Sequence, residues 1–179
     1  MKPALTVRAA RSADIRAIEA LMAPEVRAGK LLPRRVRAED FLVACAGRRL
    51  VGAVGVSAVT GHTAELGSLV VARRGLGIGR ALVEAAMAEA SARGLDTVIA
   101  LSDAPEFFER CGFERAADTP WLRARAAIGL GAAVALHTDA DLGAASSARS
   151  QVCAACDRLA ACRQSLLVRR TTVMARSHA

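Results

Sequence analysis

The chain of 179 residues has no tyrosine, one tryptophan, four phenylalanines and only two lysines, Lys2 and Lys30. Each shortage excludes something. So few aromatic rings give nucleic-acid bases no platform to stack on. Without tyrosine, no phenolic acid is available to catalysis. Long apolar runs are missing as well: the longest uncharged stretch made wholly of apolar residues, Ala126 to Leu136, is 11 residues, against the roughly 20 that a bilayer span needs. The opening MKPALTVRAARSAD places Arg8, Arg11 and Asp14 where a secretory signal needs an apolar core. A soluble, cytoplasmic protein with no membrane partner is therefore expected. The five cysteines, Cys45, Cys111, Cys153, Cys156 and Cys162, are odd in number, and reduced thiols are the reading that follows.

What is present is apolar and arginine-rich. Hydrophobic residues make up 53% of the chain, enough for a packed core in one domain. The formal net charge is +8, but the 23 arginines are spread along the whole length, as are 41 alanines. A nucleic-acid binder clusters its charge and adds stacking rings, so no nucleic-acid partner is expected. A small polyanionic ligand suits the same positive field.

The hydrophobic pattern orders the elements. Leu5 to Arg8 reads as a first strand, and Ser12 as the cap of an amphipathic helix that ends near Ala23, before Pro24 and Gly29. Phe41 to Ala46 and Leu50 to Val59 are β-rich runs joined by Gly47-Arg48-Arg49, the pattern of a hairpin. Ala64 to Val71 predicts another strand. Leu82, Val83, Ala86, Met87 and Ala90 then recur at helical spacing up to Gly94. Thr97 to Leu101, Phe113 to Ala116 and Ser165 to Thr171 read as strands, with a short helix from Ala104 to Arg110. Residues 118–150, rich in Ala, Gly and Ser, predict a loop insertion with a short helix near Trp121 to Ala127, and a Cys-containing segment, 151–163, precedes the last strand. The order predicts one domain over 1–179, of mixed α/β class, with a mostly antiparallel central sheet flanked by helices.

Chemistry enters at Arg74-Gly75-Leu76-Gly77-Ile78-Gly79, between a strand and a strongly amphipathic helix. Glycines let the backbone turn tightly and approach a ligand. The helix start adds unpaired N–H groups, backed by the positive end of its dipole. A pyrophosphate suits that arrangement, with Arg73, Arg74 and Arg80 as charge-assisted partners. No Gly-Lys-Ser/Thr follows, which excludes a Walker loop. The Gly-x-Gly-x-Gly spacing after a fourth strand does not fit a dinucleotide fingerprint. A glycine-softened turn without a ligand is the other reading.

Leu69-Val70-Val71, the run Arg73 to Gly79 and Ala81-Leu82 together resemble the acetyl-CoA loop of the GNAT acetyltransferase superfamily. Its Arg-x-x-Gly-x-Gly core is complete at Arg74, Gly77 and Gly79. Pro105-Glu106-Phe107-Phe108-Glu109-Arg110-Cys111-Gly112-Phe113 is similar to a second hallmark, the helix–strand step that packs against pantetheine. The likeness spans residues 5–117 and the last strand. Within the superfamily, Gly29-Lys30-Leu31-Leu32-Pro33-Arg34 is similar to the Gly-x-Leu-Leu-Pro-Arg of N-acetylglutamate synthases, and Glu106 to Arg110 to their helix motif. Cys153, Cys156 and Cys162 resemble a tail of short bacterial synthases, and Arg163-Gln164-Ser165 their substrate-holding Arg-x-Ser. Two departures stand out: Gly67 occupies a position where short synthases usually carry Arg, and the stretch from Phe113 to Cys153 is longer than theirs.

The resemblance implies the GNAT acyl-CoA N-acyltransferase fold, acetyl-CoA as cosubstrate and no required metal. It implies L-glutamate as the acceptor, in the first step of arginine biosynthesis, and allows a homodimer. Cofactor contacts fall on Leu69, Val70, Val71, Arg74, Gly75, Leu76, Gly77, Ile78, Gly79, Arg80, Phe107, Phe108 and Arg110, and substrate contacts on Arg34, Arg163 and Ser165. The alternatives are a GNAT enzyme for another amino acid, a small amine or a protein N-terminus, and a non-catalytic acyl-CoA-binding module.

Acetyl transfer from a thioester to an amine needs a base, an oxyanion site and a departing thiolate. Glu65 is the candidate base, acting through water; a surface glutamate paired with an arginine is the equal reading. Backbone N–H groups of Leu69 to Val71 polarise the carbonyl if their strand bulges. Ser102 is the nominated hydroxyl acid, although a thiol of pKa about 8.5 departs without a dedicated one. Arg34 and Arg163 suit bidentate carboxylate binding, or are solvated surface charge. The three-cysteine tail needs a fourth ligand to hold zinc, and no metal is expected.

Overall fold

The computed structural model describes residues 4–31, 33–58, 62–115 and 164–172. Its strands are β1 (Leu5–Ala9), β2 (Phe41–Ala46), β3 (Arg49–Ala58), β4 (Thr63–Val71), β5 (Thr97–Ser102), β6 (Glu114–Arg115) and β7 (Ser165–Arg170). Its helices are α1 (Ile15–Arg27), α2 (Ile78–Ala92) and α3 (Pro105–Glu109). The strands form a seven-stranded sheet in the order β1-β2-β3-β4-β5-β7-β6. The β1–β2, β2–β3, β5–β7 and β6–β7 pairs are antiparallel. This is the mixed α/β architecture that the residue pattern predicts. Two compact units divide the chain, Met1–Ser57 with Leu66–Ala90, and Ala58–Glu65 with Ser91–Ala179.

In the first unit the two faces of the β2–β3 ladder serve different helices. Phe41, Val43 and Cys45 of β2 and Ala53 of β3 pack with Ile18 and Met22 of α1 and with Val70. Alternation sends Gly52 to the other face. A Cβ added there would lie 2.9 Å from the Ile78 and Leu82 side chains of α2, so the bare Cα is what lets that helix approach. α2 buries Leu82, Val83, Ala86, Met87 and Ala90, the predicted face, and Ile78 besides.

The α1 region corrects two expectations. Ser12 does not cap the helix: Ser12–Asp14 form a 3-10 turn, and the Asp14 carboxylate accepts the Arg11 N–H at 2.8 Å and Arg8 at 2.7 and 3.0 Å. Nor does Pro24 end the helix, which continues to Arg27. A proline four residues from the end forfeits its own N–H bond. The buried Ile18 and Met22 and the partly buried Val26 hold the turn on the core regardless. A further 3-10 turn, Ala38–Asp40, is unmarked by the pattern.

In the second unit β7 lies between β5 and β6, with Ser165 opposite Ser102 and Arg170 opposite Thr97. The His62 carbonyl accepts the N–H groups of Asp96 and Thr97 at 3.0 and 3.2 Å. Pro105 opens α3, where a missing N–H forfeits no helical bond. Phe108 is buried edge-on between Phe107 and Phe113, with centroids 5.1 and 5.4 Å away. Arg169 of β7 donates to the Cys111 carbonyl at 2.6 Å. β6 is two residues long, shorter than the predicted Phe113 to Ala116. Ala116, the predicted insertion 118–150 with its helix near Trp121, and the segment 151–163 lie outside the described residues. Among the described residues no helix is long and apolar enough to cross a membrane.

Candidate active site

β4 feeds directly into the glycine loop. The Ala72 N–H still donates to the Val51 carbonyl, at 2.8 Å, so the strand is anchored up to the first loop residue. Gly75 and Gly77 then take φ +80° and +73°, the left-handed region that only glycine adopts at little cost. Nothing lies within 4 Å of where a Cβ would sit on either, so their role is conformational and the loop backbone is left bare. The Gly77 carbonyl accepts the Ala81 N–H at 3.0 Å, which makes Gly77 the cap of α2. The N–H groups of Ile78, Gly79 and Arg80 therefore precede the helical ladder. Ile78 is buried and pins this first turn, while Arg73, Arg74 and Arg80 are exposed around it. Leu76 is 48% exposed between the two left-handed glycines. Chemically, this is a bare-backbone anion cradle with a helix dipole behind it and guanidinium groups at its rim.

One residue of β4 carries a signal that the sequence hid. Ser68 has φ +52°, and among the described residues it is the one non-glycine residue with positive φ. Such a conformation costs about 1–3 kcal/mol, and inside a strand it interrupts the pleat and re-aims neighbouring groups. Leu69, Val70 and Val71 follow it directly. Serine has no particular preference for this conformation, so nothing in the residue type announced it. Glu65, on the same strand, is half-buried.

Arg34, the candidate acceptor contact, is placed by several groups of the first unit. Its Cζ lies 5.4 Å from the centre of the Phe41 ring, a cation–π arrangement. Nη2 donates to Ser57 Oγ at 3.4 Å and stands 4.0 Å from Asp40 Oδ2, which Arg37 holds more closely at 2.8 Å. The Arg34 side chain keeps 32% of its surface exposed.

In the second unit, Ser102 and Ser165 are cross-strand partners at one end of the β5–β7 pair. Ser102 Oγ accepts the Ala104 N–H at 3.0 Å, and a hydroxyl that accepts still carries a proton to donate. Phe107 is half-exposed, whereas Phe108, 6% exposed, belongs to the core. Arg110 is exposed, and its N–H closes α3 on the Glu106 carbonyl at 3.2 Å. Arg163, Cys153, Cys156 and Cys162 lie outside the described residues. Among the described residues no group of three His, Cys, Asp or Glu side chains is placed to hold a metal ion.

The pattern of the acetyltransferase (GNAT) domain matches residues 37–115. An uncharacterized N-acetyltransferase of Chlorobaculum tepidum is 36% identical over 115 residues, 60% of this chain and 74% of that one. Among solved structures, the N-acetylglutamate synthase of Neisseria gonorrhoeae, complexed with coenzyme A and N-acetyl-glutamate, matches with a TM-score of 0.67 at 22% identity. That match covers 95% of this chain but only 36% of the gonococcal chain. A Mycobacterium tuberculosis protein in complex with CoA matches with a TM-score of 0.68 at 22% identity, over 91% of this chain and 97% of that one. These two share the fold. Identity at the level of the C. tepidum protein, over most of its length, shows more than fold: the chain belongs to the GNAT family of N-acetyltransferases, enzymes that draw their acetyl group from acetyl-CoA.

Proposed function

We propose that the amine acetylated by this GNAT enzyme is the α-amino group of L-glutamate, the reaction that opens arginine biosynthesis. In this reading residues 1–179 act as one domain in the cytoplasm. The observation that carries it is Arg34: a half-exposed guanidinium held over Phe41, with its nearest carboxylate, Asp40, already engaged by Arg37. A cation so placed suits the carboxylate of an acidic acceptor. The gonococcal synthase, whose structure holds N-acetyl-glutamate, supports the same direction through its likeness in fold.

Bound acetyl-CoA supplies an activated acetyl group, and each candidate residue has a task around it. The N–H groups of Ile78, Gly79 and Arg80, with Arg74, Gly75, Leu76 and Gly77, take the pyrophosphate. Phe107 and Arg110 pack against pantetheine, with Phe108 supporting Phe107 from the core. Glu65, through a water molecule, removes the proton from the acceptor ammonium, and the freed amine attacks the thioester carbonyl carbon. N–H groups of Leu69, Val70 and Val71 stabilise the charge that develops on its oxygen. The carbon–sulfur bond then breaks, and the second proton leaving the nitrogen passes, through the Ser102 hydroxyl or water, to the departing thiolate. Arg34, Arg163 and Ser165 hold the acceptor.

A second reading rests on Gly67, which removes one guanidinium expected of short synthases. It assigns the chemistry to another amino acid, a small amine or a protein N-terminus. Thiol release from acetyl-CoA, measured with glutamate, glutamine, methionine and a peptide amine, separates the two. Glutamate preference is the expected result; preference for a neutral acceptor overturns it in favour of the second reading.

A further inference from the structure

We infer that Gly55 is a specificity-determining position: its missing side chain is the seat that aims the Arg34 guanidinium at the acceptor's carboxylate. The inference rests on the proposed acidic acceptor and goes beyond it by naming what sets the selector's position. Gly55 pairs with Phe41 across the β2–β3 ladder. A Cβ built on Gly55 would lie 3.2 Å from the Gly67 carbonyl oxygen, 3.3 Å from Arg34 Nη1 and 3.5 Å from Phe41 Cζ. The first two contacts are tight. The Gly67 oxygen is backbone within a strand, and the Phe41 ring is 2% exposed in the core. The guanidinium, at the end of a flexible chain, is the group that gives way. A methyl group at residue 55 therefore moves Arg34, while its 3.2 Å contact with the Gly67 carbonyl oxygen stays tight and costs some stability.

The surroundings support a selector rather than a packing device. Arg34 holds Ser57 Oγ at 3.4 Å and Asp40 at 4.0 Å, both loosely, so neighbours guide the side chain without consuming its charge. Gly67 offers no cation of its own, yet its carbonyl and the Arg34 guanidinium both lie within 3.3 Å of one point above the bare Cα of residue 55. A guanidinium from the segment before β2 thus stands beside residue 67 of β4. Gly52 provides the contrast: three residues earlier and on the opposite face, its missing Cβ serves Ile78 and Leu82.

The test is steady-state kinetics of the full chain with L-glutamate and with its neutral analogue L-glutamine, for the unsubstituted protein, Gly55→Ala, Arg34→Ala and the double variant. Gly55→Ala should lower the glutamate-to-glutamine ratio of kcat/KM about tenfold, the scale of one charge-assisted hydrogen bond. The loss should appear in the glutamate KM, with the acetyl-CoA KM unchanged, and the double variant should be no worse than Arg34→Ala. A retained ratio in Gly55→Ala, or additive losses in the double variant, overturns the inference while leaving the acceptor reading in place. Absence of glutamate preference in the unsubstituted protein overturns both, and is recognised because it precedes any substitution. If Gly55→Ala fails to fold, Ser57→Ala removes a guiding contact without adding bulk. It should shift the ratio the same way by about twofold, and no shift overturns the inference.

Discussion

Two places in the first unit depend on glycine, for opposite reasons. In the loop, Gly75 and Gly77 adopt left-handed φ in open space. In β3, Gly52 and Gly55 keep strand conformation but lie against crowded neighbours. The loop needs glycine's torsional freedom and the strand needs its small volume. A side chain added in the loop therefore strains the backbone and meets open space, whereas one added in the strand meets protein. In the proposed function the cofactor side is read by backbone groups and the acceptor side by side chains. Cofactor binding and acceptor choice are accordingly open to separate change.

Substitutions can break that contrast. Gly77→Glu places both a strained residue and an anion in the cradle, and should abolish acetyl-CoA binding in calorimetry; unchanged affinity removes the loop assignment. Gly52→Ala should destabilise the fold by about 1–3 kcal/mol through overpacking against α2, seen as a lower Tm with the glutamate-to-glutamine ratio unaltered. A changed ratio would show that the two β3 glycines do not divide their work by face. Gly75→Ala should cost about 1–2 kcal/mol from φ alone, with no clash to relieve, so chemical denaturation should report a smaller loss than at Gly52.

The smallest effect concerns α1, whose buried face packs with Phe41. The Arg8 hydrogen bond is the main cause that holds the Asp14 carboxyl below its ordinary range, with the Arg11 N–H adding to it. A carboxyl depressed in the folded state stabilises fully above its unfolded value, about 3.9, and loses that contribution as pH falls through the lower folded value. Asp14→Asn should therefore lower stability at neutral pH by about 1 kcal/mol or less, since Arg8 is a third exposed. It should also flatten the acid limb of a stability–pH curve. Equal acid sensitivity in Asp14→Asn and the unsubstituted chain would assign that limb to other carboxyls.

The same contrast explains what the sequence makes legible. Torsional glycines advertise themselves, because Gly-x-Gly-x-Gly before an amphipathic run has few other uses, and the face of α2 is written in Leu82, Val83, Ala86, Met87 and Ala90. Steric glycines do not: Gly55 matters through Arg34, and only folding brings that side chain over β3. A glycine in the middle of a β-rich run is the signal that marks such a close approach. Ser68 is less legible still, since its left-handed turn is imposed by surroundings rather than by residue type. Local rules also mislead near helix ends. Ser12 has the residue type of a cap but lies in a 3-10 turn, where the Asp14 carboxylate takes the Arg11 N–H instead, and Pro24 breaks a rule that packing of Ile18, Met22 and Val26 outweighs. The pairing of Ser102 with Ser165 joins residues more than sixty positions apart, which no local pattern encodes.

That long-range pairing has a consequence for synthesis. All residues of the first unit have been made once Ala90 has been added, but β7 belongs between β5 and β6, both made earlier. During translation β5 and β6 must wait for the chain to return, and until it does β5 presents an open edge on its β7 side, a template for wrong partners. Ribosome pausing upstream of Ser165 should therefore expose this protein to aggregation through its second unit, while the glycine loop and its helix are already made.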